Sequence, residues 1–117
     1  MNAAMRRRMS VWLNFDYMSV GDKIDEKEID LIMQHTGINR QISEKIVKIG
    51  AELRKQYKMG DLPYGPSVGD LVNWAKLIAD GSTTMEACKE TIISLASDDP
   101  DVQELVKKIA TKILERP

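Results

Sequence analysis

The sequence predicts a mainly α fold: a bundle of four to five short helices preceded by one orphan β-strand. Three observations predict it. Helix start signals recur along the chain, each followed by apolar residues at helical spacing. Glycines stand where those apolar stripes stop, as left-handed helix ends require. One segment only, residues 11–17, alternates with a period of two.

In that segment Val11, Leu13, Phe15 and Tyr17 alternate with Trp12, Asn14 and Asp16. Aromatic and β-branched residues in this pattern predict a strand. A lone strand leaves its backbone donors and acceptors unpaired, so it needs a neighbouring strand from elsewhere. Asp25 and Glu28 then have capping-box spacing, with Ile24 and Ile29 placed as a hydrophobic staple. Ile29, Ile32, Met33 and Thr36 share one face of this first helix, and Gly37 stops it. A second helix starts at Asn39 and runs to about Lys58, with Ile42, Ile46, Ile49, Leu53 and Tyr57 as its stripe and Gly60 as its end. The segment 61–66, Asp-Leu-Pro-Tyr-Gly-Pro, predicts a rigid loop. Ser67 and Asp70 make a second capping box, opening a helix to about Ala79 that buries Leu71, Trp74, Ala75 and Ile78 and stops at Gly81. Thr83 with Glu86 opens a fourth helix, with Met85, Cys88, Ile92 and Leu95 in line. Asp99 caps a last helix with Pro100 at its first position, and Val102, Leu105, Val106, Ile109 and Ile113 form its stripe.

The length, 117 residues, fits one folded unit, and 43% hydrophobic residues supply one modest core. Seventeen Lys and Arg against eighteen Asp and Glu leave a formal charge of -1, which gives no electrostatic case for nucleic acid or an anionic membrane. The single cysteine cannot form an internal disulfide, so a reducing, cytoplasmic setting is expected. No apolar run approaches the roughly 20 residues that span a bilayer.

Catalytic chemistry is sparse. His35 lies near the end of the first helix, where a cation suits the helix dipole. One histidine and one cysteine on different helices do not make a metal site, and none is expected. Cys88 sits on an apolar stripe, as a buried structural thiol would. Asp98 and Asp99 fit cap and turn chemistry better than acid–base work. The segment 92–99 ends an apolar run in acids, but the helical stripe and the cap before Pro100 account for it. The triplet Arg6-Arg7-Arg8 is either a solvated basic end or a guanidinium offered to a phosphate, a role its fork geometry suits.

The order of elements carries a resemblance. The run 4–9, Ala-Met-Arg-Arg-Arg-Met, precedes the strand, a short loop and the bundle, which contains Pro66-Ser-Val-Gly-Asp-Leu-Val-Asn-Trp-Ala-Lys-Leu-Ile-Ala-Asp-Gly81. Over essentially the whole chain this resembles the C-terminal portion of MoxR-type AAA+ ATPases, in the branch of the CbbQ, NirQ and NorQ proteins. The Pro-Ser turn with its "NWA" and terminal glycine is the more distinctive part. The resemblance implies that residues 1–18 are the end of an α/β nucleotide-binding domain, with 11–17 as its last strand, and that 19–117 form the helical lid. It implies that Arg8 is the arginine finger reaching a neighbouring subunit's ATP, with Arg7 in that role if the register slips by one. Pro66, Ser67 and Gly69 match the second-sensor turn, except that the family's arginine is replaced by Gly69.

By the same resemblance, the phosphate loop, the magnesium-binding acids and the first sensor would lie upstream of Met1. This chain alone would not hydrolyse ATP. The intact protein would hold ATP and magnesium in a homo-oligomeric ring, a hexamer, and would remodel or activate a client protein complex. The loop 18–23, which includes Gly21, is the expected hinge between core and lid. Two other classes fit the residues less well. One is a free-standing helical adaptor whose strand adds to a partner's sheet. The other is a DNA-binding domain using residues 40–57, whose Arg40, Lys45, Lys48, Arg54 and Lys55 are interrupted by Glu44 and Glu52.

Overall fold

A computed structural model describes residues 18–94 and 98–115. Among them are five α-helices: α1 Glu26–Thr36, α2 Arg40–Lys58, α3 Val68–Ala79, α4 Thr84–Cys88 and α5 Pro100–Leu114. A π-helical turn, Lys89–Ile93, continues α4. The predicted strand 11–17 lies outside the described residues, as do Arg6, Arg7, Arg8 and Leu95.

Local chemistry sets the helix starts. Asn39 Oδ1 accepts from Ile42 N, Thr83 Oγ1 from Glu86 N, and Asp99 Oδ1 from Asp101 N beside Pro100. Ser67 and Asp70 bond reciprocally as a complete capping box. Each such cap is worth about 1 kcal/mol. Gly37, Gly60 and Gly81 all have positive φ at the ends of α1, α2 and α3. The first start differs from expectation. Asp25 accepts from Lys27 N, and the Glu28 side chain does not return to the cap. It is drawn into the interior by Arg54, a partner on another helix.

One core joins the helices. Ile29 and Ile32 of α1, Ile46, Val47, Ile49 and Leu53 of α2, and Leu71, Trp74 and Ala75 of α3 are buried in it. So are Ala87 and Cys88 of α4, Ile92 and Ile93 of the π turn, and Val106, Ala110 and Ile113 of α5. Trp74 sits fully inside and donates its indole N–H to Thr84 O at 3.0 Å, tying α3 to the start of α4. Gly50 lets α2 and α3 touch: a Cβ built there would lie 2.7 Å from Leu71 Cδ1. Lys45 Nζ donates to Leu114 O at 2.9 Å and so closes α5 with a cation at its negative end.

The expected stripes hold with shifts at their edges. Tyr57 and Leu105 are exposed and Ile78 is half-buried, whereas Val47, Ala51 and Ala110 are buried. The fourth helix departs most. Ser94 N–H donates to Lys89 O, five residues back, and the widened turn buries the adjacent Ile92 and Ile93 together. The hydroxyls of Thr91 and Ser94 bond back to Ala87 O and Glu90 O, each at 2.7 Å, in competition with the ordinary ladder.

The loop 18–23 is not a slack hinge. Val20 and Lys23 exchange backbone bonds, Gly21 N donates to Ala51 O at 2.8 Å, and Ser19 is fully buried. From Ser19 onward the chain is hydrogen-bonded to α2.

Candidate functional site

The turn that opens α3 is built from the loop before it. Leu62 is buried and Tyr64 packs against the core, so the segment is anchored from below. The Tyr64 hydroxyl donates to the Asp70 carboxylate. Asp70 Oδ2 also accepts from Ser67 N at 2.9 Å, and Ser67 Oγ accepts from Asp70 N at 3.2 Å. The positive end of the α3 dipole is therefore already answered by a carboxylate of its own. Pro66 is buried, and its carbonyl accepts from Arg54 Nε at 2.8 Å.

Gly69 lies in the first turn of α3, exposed, with ordinary negative φ. A Cβ there would meet only Ser67 Oγ, at 3.6 Å. Sterics do not demand glycine at this position, and a longer side chain would project freely. The structure thus brings together Pro66, Ser67 and Gly69, three of the five candidate residues. The turn offers hydroxyl and backbone groups, already partly engaged, and at position 69 no cation. Arg7 and Arg8 lie outside the described residues.

Beneath the turn lies an arrangement that the sequence did not reveal. Arg54 Nη2 donates to Glu28 Oε2 at 2.7 Å and Nη1 to Glu28 Oε1 at 2.9 Å, a two-pronged pair. Nη1 also donates to Ser19 O at 2.9 Å. The two side chains are 1% and 0% exposed. Position 54 continues the buried line Ser43, Val47 and Gly50 along the inner face of α2. That placement is the signal that could have found it, but the adjacent Lys55 made Arg54 read as part of a solvated basic face.

The other candidates are structural. His35 is exposed in the last turn of α1, and Asp99 caps α5. Cys88 is fully buried, and desolvation pushes its thiol up to about 12, so it is not a poised nucleophile. Among the described residues no group of three or more His, Cys, Asp or Glu could hold a metal ion. No helix of the described residues is long and apolar enough to cross a membrane. A surface cleft of about 460 Å³ between the π turn and α5, lined by Lys89, Ile93, Pro100 and Gln103 among others, shares no residue with the α3 turn.

Comparison with known proteins addresses the same span. The chain is similar to the denitrification regulatory protein NirQ of Pseudomonas aeruginosa, with 30% identity over 94 residues. The alignment covers 80% of this chain and 34% of NirQ, so the chain spans about a third of the length of the curated relative it matches. The family described as CbbQ/NirQ/NorQ C-terminal matches residues 28–113, from the buried Glu28 in α1 to the last buried isoleucine of α5. The core, the Arg54-anchored turn and all but the outermost residues of the first and last helices fall inside that match, and the chain belongs to the CbbQ/NirQ/NorQ C-terminal family.

Proposed function

We propose that this chain is the C-terminal lid of a MoxR-type AAA+ ATPase. The observation that carries the proposal is the family match over 28–113, which reaches from the first turn of α1 to the last turn of α5. The physical character of the bundle supports it. A lid reports nucleotide state as an angle, so it has to move as one body. Capped helices around one shared core supply that stiffness.

In this proposal ATP and magnesium are held by a core domain upstream. Arg8, or Arg7, reaches the nucleotide of the next subunit in a homo-oligomeric ring, most simply a hexamer. The Pro66–Ser67 turn faces the nucleotide without a sensor arginine. Gly69 and the self-capping Asp70 argue that it contributes shape and backbone rather than positive charge. ATP turnover in the cytoplasmic ring would then be coupled to remodelling or activation of a client complex. The similar NirQ is named a denitrification regulatory protein, and a regulatory role is one that activation of a client complex would serve.

The test is to express this chain with and without the segment encoded in frame upstream and to measure magnesium-dependent ATP turnover. The longer protein is expected to hydrolyse ATP, and Arg8→Ala in it to lower kcat by on the order of 10³, the scale of a finger arginine. The 117-residue chain is expected to be inactive. Robust hydrolysis by the chain alone, or a reading frame that starts at Met1, would overturn the proposal.

A further inference from the structure

We propose that Arg54 and Glu28 form a strap that locks the entry segment of the bundle to the Pro66–Ser67 turn, so that the two move as a unit. The consequence for nucleotide response rests on the lid assignment above. The strap itself rests on geometry alone.

The guanidinium is shared among three segments. Its Nε holds Pro66 O at 2.8 Å, and its Nη1 holds Ser19 O at 2.9 Å. Both its terminal nitrogens hold Glu28. An arginine has five N–H donors in a rigid fork, and here that fork fixes two loop carbonyls relative to each other. The entry segment is fastened at other points too: Ser19 Oγ accepts from Asp25 N at 2.9 Å, and Gly21 N donates to Ala51 O. The turn is fastened by Asp70. Arg54 is where the two sets of bonds meet.

Helix cohesion alone does not call for this arrangement. A buried ion pair can often be replaced by well-packed apolar residues at little or no loss of stability. Apolar side chains would hold α1 against α2, but they cannot donate to Ser19 O and Pro66 O. What the charged pair adds is the fixed relation between two loops far apart in sequence. With the entry segment fastened to α2 from Ser19 onward, a pull on the chain before Ser19 is transmitted to the turn that would face nucleotide, and closure of the turn is transmitted back.

The test is amide hydrogen exchange on the 117-residue chain carrying Arg54→Met with Glu28→Met. The amides of Gly21 and Asp25 report the entry segment, and those of Ser67 and Asp70 report the turn. Both sets are expected to exchange roughly tenfold faster, while Val106 and Ala110 in α5 keep their protection. If only one set responds, or neither does, the strap is refuted. Should the double variant not fold, Arg54→Lys serves. Its single ammonium can face Glu28 but cannot span both carbonyls, so the same paired acceleration is expected, and its absence refutes the strap. Unpaired exchange in a chain whose longer form still hydrolyses ATP removes the strap and leaves the lid. Paired exchange in a chain with no upstream core removes the lid and leaves the strap.

Discussion

At the scale of single residues, the buried pair separates two effects that a contact list merges. Arg54→Met alone leaves the Glu28 carboxylate buried and unanswered and is expected to cost about 3–5 kcal/mol. Adding Glu28→Met removes the stranded charge and should recover part of that loss, the remainder being the carbonyls of Ser19 and Pro66 left without their donor. Urea midpoints of the two variants check this; equal destabilisation would show that the pair is not energetically coupled. Cys88 yields a pH prediction. Burial raises its thiol from 9.0 to about 12. Across that interval the unfolded chain has released a proton that the folded chain retains, so stability is fully present below pH 9 and falls as pH rises toward 12. The slope from this one group is at most about 1.4 kcal/mol per pH unit. Unfolding at pH 8 and pH 10 should show a larger drop for the native chain than for Cys88→Ala; equal drops would dismiss the burial effect. Part of this was visible in the sequence and part was not. Cys88 as a buried thiol follows from its place on a stripe. Glu28 has ideal capping-box spacing after Asp25, and only its distant partner on α2 makes it a core residue.

At the scale of elements, what was legible is what is local. Asn39, Ser67, Thr83 and Asp99 cap their helices through atoms two or three residues away, and Gly37, Gly60 and Gly81 end helices through their own φ. Such features need no knowledge of the fold. The π turn does need it. The stripe from Met85 to Leu95 fits an ordinary α-helix, and the widening appears only because Ile92 and Ile93 are both buried between α3 and α5. Gly50 is similar: a glycine in the interior of α2 is unfavourable by propensity and is explained only by Leu71 on the facing helix. Gly50→Ala sets two effects against each other. The helix gains up to about 1 kcal/mol, and overpacking against Leu71 costs about 1–3 kcal/mol. Net destabilisation is expected in chemical unfolding. In a Leu71→Ala background the same substitution should cost less, because the clashing methyl groups are gone. A substitution that stabilises the native chain would show that the contact relaxes freely.

At the scale of the whole molecule, the core decides how the bundle comes apart. Among the described residues every helix packs against the shared core, so no helix is expected to melt separately. α1 packs on α2 and α3, α2 on α5, and the π turn on both α3 and α5, so each helix shares buried residues with at least one other. Trp74 sits in this shared volume and is bonded to Thr84, so its surroundings change when α3, α4 or the contacts above them open. The chain has two tryptophans, and Trp12→Phe leaves Trp74 as the sole emitter. With one core, urea unfolding followed by Trp74 emission should superimpose on unfolding followed by far-ultraviolet circular dichroism, with one midpoint and one slope. Were α5 a separate unit, held only through α2 and the π turn, helical signal would be lost while Trp74 emission stayed native. The two curves would then part. Coincidence is the expected result, because Val106, Ala110 and Ile113 enter the same buried cluster as Trp74 and cannot be exposed without opening it.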